Sequence, residues 1–307
     1  MPINVLTTRP LPLPPLSARG ETIRVAVIGD PDGADAQAVL ATVLDPLDAP
    51  AIAALPAGVG LIANFGVGTD NIDLAAAAAR GIKVSNTPVV TEDTADLAFA
   101  LILAACRRIG AADRFVRSGE WEQGQAFPLG LRVNGARLGL AGFGAIGQAV
   151  ARRAAGFGMQ VRYWARTPKP EGVQLGATHV AALDDLVSDS HIVSIHVPLA
   201  SETHHLFDAA LLARFKPGAM LVNTARGAVV DEAALVAALE SGALGGAGLD
   251  VFEDEPRIHP GLASLDQVVL APHIGSGTQA CRADMAGRMI ANLIRFLESG
   301  EPADRVV

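Results

Sequence analysis

The chain has little of what a secreted or membrane-embedded protein needs. Only two of its 307 residues are cysteine, Cys106 and Cys281, too few for a disulfide framework and without metal-ligand spacing. No apolar run reaches the roughly 20 residues of a transmembrane helix. Leu97–Cys106 is bounded by Asp96 and Arg107, and the uncharged stretch 49–69 is broken by Pro50, Pro56, Gly58, Gly60, Gly66 and Gly68. Pro10, Pro12, Pro14 and Pro15 stand where a signal segment would need an apolar helix, so a cytoplasmic location is expected. Positive charge is also scarce. Lys plus Arg total 24 against 32 for Asp plus Glu, a formal charge of −8, which opposes nonspecific attraction to phosphate backbones. Neither nucleic acid nor membrane is an expected partner.

Aromatic residues make up only 4% of the chain, yet half of it is hydrophobic and 32 residues are glycine, so the apolar content lies in small and branched aliphatics. With a mean hydropathy of +0.34, such a chain can bury a large core. Its length suits two α/β domains. The Pro-rich opening to Gly20 lacks periodicity and is read as an irregular arm. Ile23–Gly29 ("IRVAVIG") reads as a buried strand, and the pattern returns at Val59–Phe65 and Ile82–Val84 with Ala-rich helical segments between. "TEDTADLAFALILAACRRI" predicts a long helix from Thr91, acidic in its first turn, that opens a second domain.

Six strands are then expected, at Arg137–Gly142, Gln160–Trp164, Ile192–Val197, Ala219–Asn223, Gly246–Asp250 and Val268–Ala271, as in a complete doubly wound dinucleotide fold. A last helix from about Gly277 to Leu297 is expected to return to the first domain. The division is placed at 1–92 plus 280–307 and at 93–279.

"RLGLAGFGAIGQAVARRAAGFG" carries Gly142, Gly144 and Gly147 in G-x-G-x-x-G spacing, after an apolar strand and before a helix, with Ala145 and Ile146 completing the turn. Gly142 suits the tight turn, Gly144 the approach of a pyrophosphate, and Gly147 close helix–strand packing. About 20 residues further on, an NAD site would place an acid on the ribose. Here "VRYWARTPK" has Ala165 in that place, followed by Arg166, Thr167 and Lys169. A guanidinium, a hydroxyl and an ammonium can bind a 2′-phosphate that a carboxylate would repel, so NADPH/NADP is expected over NADH.

Three later segments, "VNTARGAVVDE", "GLDVFEDEP" and "LAPHIGSGT", each follow an expected strand. Together with the glycine turn, "NFGVGTDNID", "NTPVVTEDTADLA" and "RSGEW", they resemble the D-isomer-specific 2-hydroxyacid dehydrogenase family from about Leu61 to Asn292. The resemblance implies α/β architecture: two doubly wound parallel-sheet domains, a Rossmann cofactor domain inserted into a smaller flavodoxin-like substrate domain. It also implies a homodimer held mainly through the cofactor domains. It puts the catalytic arginine on Arg226, the acid on Glu255 and the general acid/base on His273. Val197 and Pro198 would lie beside the adenine, and Asp250 near the nicotinamide carboxamide.

These residue types suit the reduction of a 2-keto acid. Hydride adds to the carbonyl carbon while the oxygen gains a proton, so a group that cycles near neutral pH must face that oxygen, and an imidazole titrates near about 6.5. A carboxylate beside it would orient the ring. Arg226 can bind the substrate carboxylate and polarise the ketone. Backbone N–H groups at Val67 and Gly68 would add an anion nest, with Asn64 a candidate for further substrate contacts.

Thr203, Thr224, Ala225 and Gly275 are further candidates for cofactor contact. Trp121 and Phe127 either shape the substrate pocket or simply pack. His196 reads as a packed strand-end residue, and His204 and His205 as structural or solvent-facing; no metal site is identified. The leading expectation is an NADPH-linked glyoxylate/hydroxypyruvate-type reductase forming the D-2-hydroxy acid. Formate, phosphite and phosphoglycerate dehydrogenases, a 2-ketogluconate or aryl-pyruvate reductase, and a noncatalytic dinucleotide-sensing corepressor are the alternatives.

Overall fold

The computed structural model describes residues 3–11 and 13–307, so Pro12 of the opening stretch lies outside the described residues. The chain divides into two compact units, one running to Val90 and resuming at Thr278–Val307, the other Thr91–Gly277.

The first unit contains β1 (Ile3–Thr7), β2 (Ser17–Ala18), β3 (Glu21–Val27), β4 (Ala38–Thr42), α1 (Ala49–Ala54), β5 (Leu61–Phe65), α2 (Leu74–Ala79) and β6 (Lys83–Ser85). Among the described residues its sheet runs β2-β3-β1-β4-β5-β6, antiparallel only at β2–β3. Without β2 this is the flavodoxin-like order 2-1-3-4-5. Successive side chains on a strand face opposite sides. Val5, Leu40 and Leu61 therefore pack on one face against Leu293 and Leu297, while Leu6, Val39 and Ile62 pack on the other with Ile52 and Leu55 of the α1 region. Asp48 and Asp73 cap α1 and α2, each carboxylate accepting the backbone N–H of the third helical residue, Ala51 and Ala76.

Three expectations for this unit need correction. The opening stretch is not an irregular arm throughout, because Ile3–Thr7 forms an interior parallel strand between β3 and β4. Ile23–Gly29 is not a buried strand: β3 lies near the sheet edge and only Ile23 is buried, with Val25 and Ile28 exposed. Ala38–Thr42, taken as part of an Ala-rich helical stretch, is a strand flanked on both sides, which hides four of its five residues from solvent.

The second unit opens with α3 (Thr91–Cys106) and α4 (Ile109–Arg117), separated where Arg108 takes a left-handed conformation, φ 53°. It continues with β7 (Arg137–Ala141), α5 (Ala145–Ala155), β8 (Gln160–Trp164), α6 (Pro170–Gln174), β9 (Thr178–Val180), α7 (Leu183–Asp189), β10 (Ile192–Ile195), α8 (Ala209–Leu212), β11 (Ala219–Asn223), α9 (Glu232–Glu240), β12 (Leu244–Leu249), α10 (Pro260–Ser264) and β13 (Val268–Leu270). Its parallel sheet has the order β13-β12-β11-β10-β7-β8-β9, the dinucleotide-fold order 3-2-1-4-5-6 with β13 appended.

Both sheet faces are covered, which explains the near-continuous apolar strands. In β11, Met220 and Val222 join Leu138, Leu140 and Ile102 on one side, and Leu221 joins Ile195, Leu235 and Leu249 on the other. Burying one such side chain stabilises by about 1.5–3 kcal/mol. The expectation of six strands missed β9, whose three residues are too few to show a pattern.

A final helix, α11 (Gln279–Ser299), belongs to the first unit and is capped by Thr278, whose hydroxyl accepts the Cys281 N–H. Neither Cys106 nor Cys281 is in a disulfide, and burial pushes the Cys106 thiol up to about 12, leaving it inert. Among the described residues no helix is long and apolar enough to cross a membrane.

Candidate active site

The carboxyl ends of β7, β8, β10, β11, β12 and β13 lead directly into Gly142, Ala165, His196, Thr224, Asp250 and Ala271, so one edge of one sheet gathers most of the candidate residues. That edge is where open α/β sheets bind ligands. Gly142 turns the chain at φ 100°, and a Cβ there would lie 2.6 Å from the His196 carbonyl carbon, so only glycine fits between β7 and β10. Gly147 has no more room, its Cβ position falling 2.5 Å from the Gly142 carbonyl oxygen. Gly144, the N-cap of α5, differs: nothing lies within 4 Å of its Cβ position, and no side chain caps the helix. With Ala145 and Ile146 in the first turn, the open N-terminus presents backbone donors and a positive dipole end to an anion.

After β8, the Tyr163 hydroxyl accepts the Lys169 N–H at 2.8 Å and His179 Nε2 meets the Ala165 carbonyl at 3.1 Å, which shapes the turn. Arg166, Thr167 and Lys169 stand exposed on it, and neither cation is held in an ion pair among the described residues. After β10, Val197 is buried and Pro198 exposed. The Thr203 hydroxyl donates to the Pro198 carbonyl at 2.7 Å and accepts the Ala200 N–H at 2.8 Å, so this threonine braces its own loop. His196 packs behind the glycine turn, its Nε2 2.9 Å from the Ser194 hydroxyl, and burial lowers its imidazole to about 4.

The turn after β11 is built by Asn223, whose buried amide accepts the Ala225 N–H at 2.9 Å and donates to the Arg226 carbonyl at 2.8 Å. Thr224 follows with a buried hydroxyl that has no partner among the described residues. Arg226 Nη1 donates to the Ala225 carbonyl at 2.7 Å. Gly227 then presses on the loop carrying the acid. A Cβ there would lie 1.8 Å from the Phe252 carbonyl carbon, which no rearrangement of side chains can relieve.

Glu255 accepts the Phe252 N–H on Oε1 at 3.0 Å and meets His273 Nδ1 with Oε2 at 2.7 Å. Burial pushes its carboxyl up, but the His273 hydrogen bond, the Phe252 N–H and the charges of His273 and Arg226 outweigh burial and hold it below the ordinary range. An ionised carboxylate only accepts, so Nδ1 carries the proton of this bond and Nε2 is the nitrogen left to exchange one. His273 sits at φ 53°, with its N–H shared between the Asp250 carbonyl at 2.9 Å and the Ala271 carbonyl at 3.1 Å.

Asp250, 1% exposed, fastens this loop: Oδ1 accepts the Ile274 N–H at 2.7 Å and Oδ2 the Gly275 N–H at 2.8 Å. Burial raises the Asp250 carboxyl although both N–H groups pull it down.

In the first unit, the loop after β5 carries Asn64, Val67 and Gly68. Asn64 is 1% exposed and its Nδ2 donates to the Gly68 carbonyl at 2.7 Å, so its amide shapes the loop and does not face outward. Asn86 Nδ2 ties the Val67 carbonyl at 2.8 Å. With both carbonyls engaged, the Val67 and Gly68 N–H groups make no hydrogen bond among the described residues, as an anion nest requires. Elsewhere, Trp121 is 66% exposed, whereas Phe127 packs on Phe115 with ring centroids 5.1 Å apart.

The sequence did not single out Asn223, Gly227 or Glu232. Glu232, buried at the start of α9, accepts the Glu253 N–H at 2.9 Å, and burial raises its carboxyl. All three lie inside "VNTARGAVVDE"; Gly227 and Glu232 act on chain folded against them from more than 20 residues away, whereas Asn223 shapes its own turn through Ala225 and Arg226. The signal available was an apolar segment carrying polar residues that had no assigned task.

Residues 99–275 match the family model described as D-isomer specific 2-hydroxyacid dehydrogenase, NAD binding domain. The chain belongs to that family and is an oxidoreductase of the 2-hydroxyacid dehydrogenase class, using a nicotinamide dinucleotide. Among its relatives, a glyoxylate reductase of Thermococcus litoralis is 50% identical over 253 residues, covering 80% of this chain and 76% of the relative. The crystal structure of a glyoxylate reductase from Paecilomyes thermophila superposes with a TM-score of 0.90 at 35% identity, over 99% of this chain and 98% of that one. An NADPH-dependent glyoxylate/hydroxypyruvate reductase of Sinorhizobium meliloti, solved with NADP and malonate, gives a TM-score of 0.88 at 34% identity over 99% and 97% of the two chains.

Proposed function

We propose that the protein reduces a small 2-keto acid of the glyoxylate or hydroxypyruvate type to the D-2-hydroxy acid, with NADPH preferred over NADH. The observation that carries the chemistry is the 2.7 Å contact between His273 Nδ1 and Glu255 Oε2, which commits one ring nitrogen and leaves the other for proton transfer. Two features of the sheet edge fit a bound dinucleotide: the open face of Gly144 at an uncapped helix N-terminus, and the orphaned Thr224 hydroxyl. Gly142–Gly147 would hold its pyrophosphate and Arg166, Thr167 and Lys169 its 2′-phosphate. Val197, Pro198, Thr203, Thr224, Ala225, Asp250 and Gly275 would line the rest. The dinucleotide, when bound, supplies the hydride.

The protein's own groups supply the rest of the reaction. Arg226 binds the substrate carboxylate and draws electron density from the ketone. The Val67 and Gly68 N–H groups, in the other unit, form an anion nest suited to a carboxylate. His273 Nε2 donates the proton to the oxygen as the carbon is reduced, a role worth roughly 10²–10⁴ in rate. Glu255 fixes the tautomer and balances the imidazolium charge. In this reading the Thr91–Gly277 unit carries the cofactor together with Arg226, Glu255 and His273, and the other unit carries the anion nest. A short substrate is favoured by the glyoxylate reductases among the relatives.

The protein is read as a homodimer through the cofactor unit. The segment from α4 toward β7 supports this, because Ile109, Val116, Trp121 and the 95%-exposed Leu129 all lie open on it. The deciding experiment is a rate panel with NADPH and NADH against glyoxylate, hydroxypyruvate, pyruvate, 2-ketogluconate and phenylpyruvate. The highest kcat/KM is expected for NADPH with glyoxylate or hydroxypyruvate. A higher value for 2-ketogluconate or phenylpyruvate would replace the substrate assignment, and the absence of turnover with every keto acid would favour a sensing role.

A further inference from the structure

His204, His205 and Glu253 stand together outside the reacting groups described above. One ligand atom from each, imidazole nitrogen or carboxylate oxygen, lies within 4.8 Å of the other two. Consecutive side chains on extended backbone point to opposite sides. Here His205 takes a left-handed conformation, φ 49°, which brings the two rings to one side with centroids 4.1 Å apart and planes at 30°. The His205 N–H donates to the Ala228 carbonyl at 2.8 Å, fixing this turn against the segment that follows Gly227. His205 Nε2 already meets Glu253 Oε1, and the backbone of Glu253 is held from beneath by Glu232, which accepts its N–H at 2.9 Å. An ion pair with Glu253 would require only one histidine; the second ring, on the same side, adds a third donor.

We infer that this cluster is a surface site for a first-row divalent metal ion, with Zn²⁺ the best match. Two imidazoles and one carboxylate form a His₂Glu donor set of the borderline kind that Zn²⁺ takes, with a fourth position open to water. Around a tetrahedral ion with metal–ligand bonds of about 2.0–2.1 Å, donor atoms stand about 3.3 Å apart. The exposed His204 and Glu253 and the half-buried His205 already place their ligand atoms within 4.8 Å of one another. A bound ion would clip the loop that follows Val197–Thr203 to the loop that leads, two residues later, into Glu255. The site is independent of the proposed reduction, because none of its three ligands is assigned a part in it.

The test is calorimetric titration of Zn²⁺ into metal-free full-length protein, for wild type and for His204→Ala, Glu253→Gln and His273→Ala, with thermal unfolding followed with and without Zn²⁺. One equivalent is expected to bind to wild type and to raise its Tm. His204→Ala and Glu253→Gln should each weaken that binding by at least roughly tenfold, the lower end of what losing even a supporting group costs. His273→Ala should leave it intact. Glu253→Gln keeps the shape of the side chain, and equal Tm values for the metal-free proteins would separate lost binding from lost folding. The inference is overturned if wild type shows no saturable site, if either cluster variant binds Zn²⁺ as wild type does, or if binding is lost in His273→Ala.

Discussion

His273 Nδ1 and Glu255 Oε2 stand 2.7 Å apart although 18 residues separate them in the chain, and each is locked by backbone other than its own. The Phe252 N–H fixes one carboxylate oxygen, while the Asp250 and Ala271 carbonyls fix the histidine backbone. In the proposed reaction Glu255 would therefore act through His273 as a positioning residue. Glu255→Gln should lower kcat by roughly 10²-fold, within the range of general acid–base contributions, because an amide can hold the ring but cannot balance its charge. The KM for NADPH should stay near wild type, and Glu255→Asp should recover part of the rate. A purely structural role would lower Tm and leave kcat per folded molecule unchanged.

Gly227 tests how the arginine turn and the acid loop are joined. With a Cβ position 1.8 Å from the Phe252 carbonyl carbon, Gly227→Ala must displace one backbone from the other. Overpacking of this kind costs about 1–3 kcal/mol or more. Urea denaturation should show that loss, and activity should fall in the molecules that remain folded, since both Arg226 and Glu255 would shift.

Asp45 sets an acid-stability limit for the first unit. Burial pushes its carboxyl up, yet donors from Arg9, Thr8 and Thr42 outweigh burial and lower it from 3.8 to about 2. A folded value below the unfolded one stabilises the protein above the unfolded value, and the contribution is lost as pH falls through the folded one. Asp45→Asn should thus be less stable than wild type by about 2 kcal/mol at pH 7, with the gap closing between about pH 4 and pH 2. Denaturant midpoints across that range would read it directly, and a gap independent of pH would exclude the charge as its source.

Arg166 and Lys169 are exposed, so their contacts with a 2′-phosphate would be weakened by solvent. Replacing both with neutral residues should raise the KM for NADPH about tenfold, on the scale of one charge-assisted hydrogen bond, and leave the KM for NADH almost unmoved. Equal effects on the two cofactors would remove these residues from 2′-phosphate recognition.

Where the sequence carried a long, strongly patterned signal, the fold was legible. Gln160–Trp164 and Ala219–Asn223 appear as strands with the expected bounds, and the glycine turn lies between strand and helix as its spacing implied. The misses have local causes. Four prolines close by concealed β1, whose place between β3 and β4 comes from sheet pairing and not from periodicity. "AVLAT" contains alanines that suit helix or strand, and only burial between two neighbours decides the matter. β9 has three residues, below the length at which a period can be read.

Within the candidate site, Arg226, Glu255 and His273 could be put forward from the sequence because each lies in a recognisable segment. The groups that hold them were not. Gly227 and Glu232 act through contacts made by folding, Asn223 through a local turn whose hydrogen bonds its type alone does not announce, and the cluster of His204, His205 and Glu253 joins residues 48 apart. Asp250 was expected near the nicotinamide and Asn64 at the substrate, but their hydrogen bonds to neighbouring backbone could not be read from spacing.

The most direct test is His273→Ala, assayed at saturating NADPH and keto acid with cofactor affinity measured separately. If His273 Nε2 donates the proton, kcat should fall by at least roughly 10²-fold while the Kd for NADPH stays within about twofold of wild type. Turnover close to wild type, with the protein folded and the cofactor bound, would contradict a proton-donating role for His273.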